Sequence, residues 1–315
     1  MSPTINTDSD FDLTVAISAH NRPDVALRAI LSLTHLSPFK VEVRLTDDCS
    51  TQPLEPYIKS ALPDNYPFPV IFKRNATNLG YIPTRNQLNS DALAPIILSL
   101  DDDAYLAPDG KLDVAIRTIQ KDKTIGAIAL AHYNDDGTRK PDFMQPSKMT
   151  EECYISNYYG YGHLIRKEAF LKTGKYREEF YFFREEIDMC KRMLDIGYSV
   201  VYLPDSYVFH SHDTRGRNEK NHLRYNARNS ILDAMYNEPF PMMMCTVPYR
   251  VIDYIRWRKV PQKHYGFSDK GGVQWLIKEI LLHSWNIFTH RKPLKYSTYR
   301  KWKQLKKEFQ KYEPN

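Results

Sequence analysis

Short apolar runs alternate with amphipathic stretches from Leu13 to Ala131, and this alternation is the clearest signal in the chain. Leu13 to Ser18 (LTVAIS) is rich in β-branched residues and reads as a buried strand. Asn21 is placed to cap a following helix, with Pro23 in its first turn and Val25, Ile30 and Leu33 at roughly helical spacing. Further strands are predicted at Val41 to Thr46, Val70 to Arg74, Ile96 to Leu100 and Ile125 to Ala131. Helices fall between them, around Leu54 to Leu62, near Thr84 to Leu93, and after the turn at Pro108-Asp109-Gly110. Strand–helix alternation of this kind predicts an α/β fold, Rossmann-like, with a mostly parallel central sheet flanked by helices. Ligands of such sheets bind beyond the carboxyl ends of the strands. The polar clusters lie there: Ala19-His20-Asn21-Arg22, Asp47-Asp48 and Asp101-Asp102-Asp103.

Beyond residue 131 the pattern loosens. Tyr154 to Tyr161 reads as an aromatic loop, and Glu185 to Ile196 as a helix closed by Gly197. Tyr198 to Leu203 reads as a last buried strand ending at Pro204. From about Leu223 the chain is helical, punctuated by Pro239, Pro241, Pro248 and Pro261. The expected organisation is a flexible segment 1–12, a catalytic domain 13–230 with halves 13–131 and 132–230, and a basic helical extension 231–315.

Composition narrows the function without naming it. The four cysteines are scattered with no C-x-x-C pair, which suits a reducing compartment rather than a disulfide or zinc framework. The start of the chain lacks the basic and apolar regions of a signal peptide. No stretch reaches the roughly 18 to 20 apolar residues of a membrane span. The expectation is a cytoplasmic protein, soluble or peripheral on the inner face of the membrane. Of the net +6, a local +7 lies from Arg291 onward, so no basic groove runs across the body and nucleic acid is not an expected partner. In that tail Tyr299, Trp302, Leu305, Phe309 and Tyr312 approximate one apolar helical face among lysines. Such a stripe suits contact with an anionic membrane surface, or packing on the catalytic domain.

Three consecutive carboxylates leaving a buried strand, Asp101 to Asp103, repel one another unless a cation sits among them. Mg²⁺ and Mn²⁺ take oxygen ligands and bridge to phosphates. The plain alternative is a solvated acidic turn. A second acidic cluster, Glu185, Glu186 and Asp188, opens a helix, where the macrodipole favours negative charge. Asp188 is equally placed to pair with Arg192 at i, i+4. Glu186 is the favoured general base, because the aromatic approach Phe180 to Phe183 can desolvate it and raise its pKa. His210 and His212 flank the end of the last strand, and His210 is a candidate metal ligand. No G-x-G-x-x-G follows a strand, and neither a P-loop nor a G-x-S-x-G elbow occurs, so dinucleotide, P-loop and serine-hydrolase chemistry are set aside.

In combination these stretches resemble the GT-A-fold glycosyltransferases of family 2, the inverting group that includes bacterial polysaccharide and rhamnosyl transferases. The matching pieces are Thr14 to Pro23, Leu45 to Thr51, Asn78 to Asn86, Leu100 to Asp103, Gly162 to Phe170, Glu185 to Arg192, Pro204 to His210 and Tyr225 to Asn229, in the family's order from about residue 13 to 230. The resemblance implies that Ala19, Asn21 and Arg22 line the nucleotide pocket. It implies that Asp47 accepts from a pyrimidine N3–H, and that Asn78, Gly80 and Arg85 hold base and diphosphate. Asp101 and Asp102 would join the nucleotide-sugar contacts, Asp103 and His210 would hold a divalent cation (Mn²⁺ or Mg²⁺), and Glu186 would be the base. Glu stands at position 186 where the family usually has Asp, which keeps Glu185 and Asp188 as alternatives; Cys49 replaces the usual Gly. The implied donor is a UDP- or dTDP-sugar and the acceptor a hydroxyl on a glycan or lipid-linked molecule. A sugar-1-phosphate nucleotidyltransferase is the rival enzyme class, lacking here its Gly-rich, basic signature after the first strand. A catalytically silent nucleotide-sugar binding module is the other rival.

Overall fold

Strand β1 (Leu13–Ala19) shows how the sheet is made: Leu13, Val15 and Ile17 enter one apolar cluster while Ala16 enters another on the opposite face. The computed structural model describes residues 9–211, 218–258 and 268–314. Helices α1 (Pro23–Ser32) and α2 (Leu54–Ala61) contribute Ala26, Ile30 and Ile58 to the first cluster. They alternate with β2 (Val41–Asp47) and β3 (Val70–Arg74). Helix α3 (Tyr81–Asp91) then leads to β4 (Ile96–Asp101) and covers the second face through Ile82 and Leu88. The next elements are β5 (Ala104–Leu106), α4 (Leu112–Lys121), β6 (Ile125–Tyr133), β7 (Cys153–Tyr154), β8 (Gly162–Arg166) and α5 (Lys167–Lys172). They are followed by α6 (Glu185–Asp195) and β9 (Ser199–His210). On α4, Leu112, Ala115, Ile116 and Ile119 form a single apolar stripe at helical spacing, buried against the first cluster.

The sheet order is β3-β2-β1-β4-β8-β6-β9-β5, with β7 paired to β9. The predicted parallel block is present as β3-β2-β1-β4. Beyond it β8 runs antiparallel between β4 and β6, so the second half of the sheet is mixed. Strand β9 does not stop at Pro204. A register shift against β6 between Leu203 and Tyr207 absorbs the proline, and the strand resumes to His210. That continuation carries His210 beside Ala104, next to the acidic cluster.

Asn21 is not the cap of α1. Its φ is 56°, its amide donates to Ser50 Oγ at 2.8 Å and its Oδ1 accepts from the Thr51 amide at 2.7 Å, so it ties two loops together while Arg22 occupies the cap position. At the end of that first segment the Asp12 amide donates to Lys40 O at 2.8 Å. Helix α7 (Glu219–Asn237) runs through residue 230 without a break, and α8 (Met242–Trp257), α9 (Gly272–His290) and α10 (Tyr296–Leu305) follow.

The aromatic stripe of the tail does not form one outward helical face. Helix α10 ends at Leu305, Trp302 and Tyr312 are buried, and the Lys191 ammonium lies 4.1 Å from the centre of the Trp302 ring. The Tyr312 hydroxyl donates to Asp122 at 3.1 Å, and the Tyr154 amide donates to Gln310 O at 2.9 Å. Of the stripe, Trp302 and Tyr312 pack on the protein itself, which is the second of the two expected arrangements, while Phe309 stays exposed.

Candidate active site

The carboxyl ends of β1, β2 and β4 open into one cavity of about 760 Å³. That size falls in the range of small-molecule sites. Ala19, Arg22, Asn78, Gly80, Arg85, Asp101, Asp102, Glu186 and His210 all line it, from segments scattered between residues 19 and 210. Five other predicted residues do not line the cavity, and each for a local reason. Asn21 is committed to the loop contacts above.

Asp47 turns inward: its carboxylate accepts from the amides of Ser50 and Leu54 and from Arg74 at 2.7 Å. Burial pushes its pKa up, but those partners outweigh it and hold it below the usual range. Its neighbour Asp48 reaches the cavity instead, accepting from the amides of Leu79 and Gly80 at 2.9 and 2.8 Å. Gly80 has φ +84°, the left-handed region that glycine adopts without strain, and this turns both amides toward Asp48 at the start of α3.

Asp188 is fully buried in a structural network of Arg177, Arg192 and Asn237. Burial raises its pKa, yet the two guanidiniums bring it below the ordinary value. It is not a base for a substrate. Glu185 is also buried behind the wall, accepting from the Tyr81 hydroxyl at 2.6 Å. Asp103 lies just beneath the lining, where its Oδ1 is 3.1 Å from His210 Nε2 and its Oδ2 accepts from Arg22 at 3.2 Å. His212 lies outside the described residues.

The acidic end of β4 is held by two arginines. Arg22 forks onto both oxygens of Asp102. Arg85, nearly buried, donates to Asp101 at 2.6 Å and to Gly160 O at 3.3 Å. Burial raises the carboxyls of Asp101 and Asp102, the latter to about 8, with the neighbouring acids adding to the effect and the arginines opposing it. Asp101, Asp103 and His210 each offer a ligand atom, all within 4.8 Å of one another. Two carboxylates and an imidazole fit a hard or borderline divalent cation. Arg85 Nη1 and Glu185 Oε2 are buried with no hydrogen-bond partner, and Arg85 Nη1 lies 3.8 Å from Glu185 Oε1.

Across the cavity Glu186 stands half-buried at the first turn of α6. Burial, and then the Glu185 carboxylate beside it, push its pKa well above the usual range. The loop before it is strained: Tyr181, Phe183 and Arg184 all have φ between 58° and 71°. Asn229 of α7 fixes this loop, its amide donating to the carbonyls of Phe180, Phe182 and Phe183, while Arg228 bonds those of Glu179 and Phe180. The motif Tyr225 to Asn229 is thereby the clamp that aims Glu186. Sequence reasoning also missed His132, whose Nε2 lies 2.9 Å from His210 Nδ1 and orients that ring.

Gly160, set aside in sequence with the aromatic loop, packs directly on the site. A Cβ there would sit 2.5 Å from Glu186 Oε1 and 3.1 Å from Arg85 Nη1. Gly160→Ala should therefore displace both side chains and lower turnover by about tenfold to a hundredfold while the melting temperature changes little. Steady-state kinetics beside a thermal melt checks this, and unchanged turnover would show that the contact has slack.

Comparison with known proteins bears on the family and the fold. The model of glycosyl transferase family 2 matches residues 14–186. An uncharacterized glycosyltransferase of Haemophilus influenzae is 28% identical over 169 residues, covering 51% of this chain and 55% of that relative, so the match spans about half of each. A second protein of the same organism, uncharacterized, is 25% identical over 186 residues, 54% of this chain and 95% of its own. Among solved structures, S. aureus TarS 1-349 superposes with a TM-score of 0.60 at 14% identity, covering 93% of this chain and 91% of its own. The mannosyltransferase PcManGT from Pyrobaculum calidifontis, solved with GDP-Man and Mn²⁺, gives 0.58 at 14% identity, covering 96% and 87%. These two share the fold, the curled sheet flanked by helices of the GT-A type.

Proposed function

The chain belongs to glycosyl transferase family 2, and from that premise we propose that it transfers a sugar, with inversion, from a UDP- or dTDP-sugar to a hydroxyl of a glycan or lipid-linked acceptor. The carrying observation is that the acids at the end of β4 and Glu186 at the start of α6 line one cavity, with Arg85 between them. In this reading the nucleoside lies along Ala19, His20, Asp48 and Asn78. The diphosphate meets Arg85, whose Nη1 makes no hydrogen bond, lies 3.8 Å from Glu185 Oε1, and supplies a charged donor. Asp101, Asp103 and His210 would hold a divalent cation, Mn²⁺ or Mg²⁺. A cation bound there supplies positive charge against the leaving diphosphate.

Glu186 takes the proton of the acceptor hydroxyl as its oxygen forms a bond to C1 of the sugar. The bond from C1 to the diphosphate oxygen breaks on the opposite face, and its electron pair leaves with the nucleoside diphosphate. One base and one displacement give an inverted anomeric centre. A rise in melting temperature with a nucleotide-sugar and Mn²⁺, followed by release of nucleoside diphosphate, is the expected result. If no UDP-, dTDP- or GDP-sugar shifts the melt or is hydrolysed, the assignment fails.

A further inference from the structure

Helices α8 and α9 pack on α7 through a small cluster centred on Ile231, Tyr254 and Leu276, and each leaves an apolar face turned outward. On α9 this face carries Leu281, Trp285 and Phe288 at helical spacing, the last two 73% and 79% exposed. On α8 the side opposite Val247, Val251 and Tyr254 carries the exposed Tyr249 and Ile252. Bare aromatic and aliphatic surface of this extent normally has a partner. Among the described residues no helix is long and apolar enough to cross a membrane, so the faces do not belong to a span.

Charge identifies the partner. Residues 242–315 hold sixteen lysines and arginines against five acids, while the rest of the chain has twenty-eight against thirty-three. Arg256 and Lys278 are exposed on these same two helices. A second copy of the chain seated on this surface would bring two strongly positive segments together, which costs free energy. An anionic bilayer satisfies both features, apolar side chains entering the headgroup boundary and cations lying over the lipid charges. We propose that the α8–α9 layer docks this protein on an anionic lipid surface.

The layer adjoins the cavity. Trp275, in the first turn of α9, meets the Tyr225 ring edge-on at 5.7 Å, and the next residue, Asn226, lines the cavity. Docking therefore brings the cavity wall close to the lipid surface, where a hydroxyl on a lipid-linked molecule is available. The docking itself does not depend on the chemistry proposed for the cavity.

The full chain should sediment with vesicles of phosphatidylcholine and phosphatidylglycerol and not with phosphatidylcholine alone, and rising salt should release it. Leu281→Glu combined with Trp285→Glu should lower the bound fraction about tenfold or more, with the melt and the nucleotide-sugar shift unchanged. Wild-type protein that ignores both vesicles, or a double variant that binds as well as wild type, overturns the proposal. So does a concentration-dependent dimer that the double variant abolishes in a chain without vesicle binding, since the occupant is then a second copy. A chain that docks but transfers no sugar sinks the functional assignment and leaves the docking standing.

Discussion

Glu186→Gln should lower kcat on the order of a thousandfold, about 4 kcal/mol of transition-state stabilisation, while nucleotide-sugar affinity changes little. Glutamine keeps the shape and the hydrogen-bonding oxygen of the side chain but cannot accept the acceptor's proton. The same residue fixes the pH dependence. Burial and the Glu185 carboxylate raise its pKa well above the usual range, and only the ionised form is a base. Activity should therefore fall as pH drops through that raised value, with the acidic midpoint above that of an ordinary glutamate. Glu185→Gln removes a like charge, so it should move this midpoint to lower pH and cost far less rate than Glu186→Gln. A Glu186→Gln protein keeping about a tenth or more of wild-type turnover would place the base elsewhere. An acidic limb unmoved by Glu185→Gln would break the coupling argued between the two acids.

Much of this site was legible in the sequence, and the parts that were not have identifiable causes. Strands β1, β2 and β4 were read because strands buried on both faces are continuous apolar runs with turn residues at their ends. The edge strand β3, none of whose residues is fully buried, was read from Val70, Ile71 and Phe72 alone. Strand β8 was not read, since His163 and Arg166 interrupt its apolar pattern. Both are buried: His163 is stacked on Tyr158, and Arg166 donates to the carbonyls of Ile119, Asp122 and Ile125. These partners lie from five to forty-seven positions away in sequence. Pro204 looked like a strand end because a proline removes a ladder donor, and only the pairing with β6 makes room for the bulge. Asp47 and Asp48 could not be told apart because adjacent residues at a strand end point opposite ways. Which of them faces the cavity depends on Arg74 and on the loop amides that capture the other. Gly160 gave no pattern, and Asn229 was legible only as the end of the Tyr225–Asn229 stretch; the roles of both come from what they touch.

Removing divalent cations should abolish transfer, and Asp103→Ala should reduce it on the order of a hundredfold or more, even with added Mn²⁺. The ground is charge balance at the end of β4. Three carboxylates, Asp101, Asp102 and Asp103, are met by two guanidiniums, Arg22 and Arg85. With Asp102 raised to about 8 and so largely neutral near pH 7, the two guanidiniums offset the remaining acids, and the charge that calls for a cation is the one a diphosphate would bring to the cavity. Asp102 is fully engaged by the Arg22 fork, so Asp102→Asn should disturb Arg22 more than cation affinity. Asp103 instead shares its oxygens between Arg22 and His210 and sits in the group whose ligand atoms converge. Its loss should raise the Mn²⁺ concentration needed for half-maximal activity, and His132→Phe should do the same more weakly by freeing the His210 ring. Titration of Mn²⁺ by calorimetry and by activity separates the two effects. An Asp103→Ala protein that still transfers sugar in the presence of chelator would end the metal assignment, and would leave Arg22 and Arg85 as the groups that neutralise the departing diphosphate.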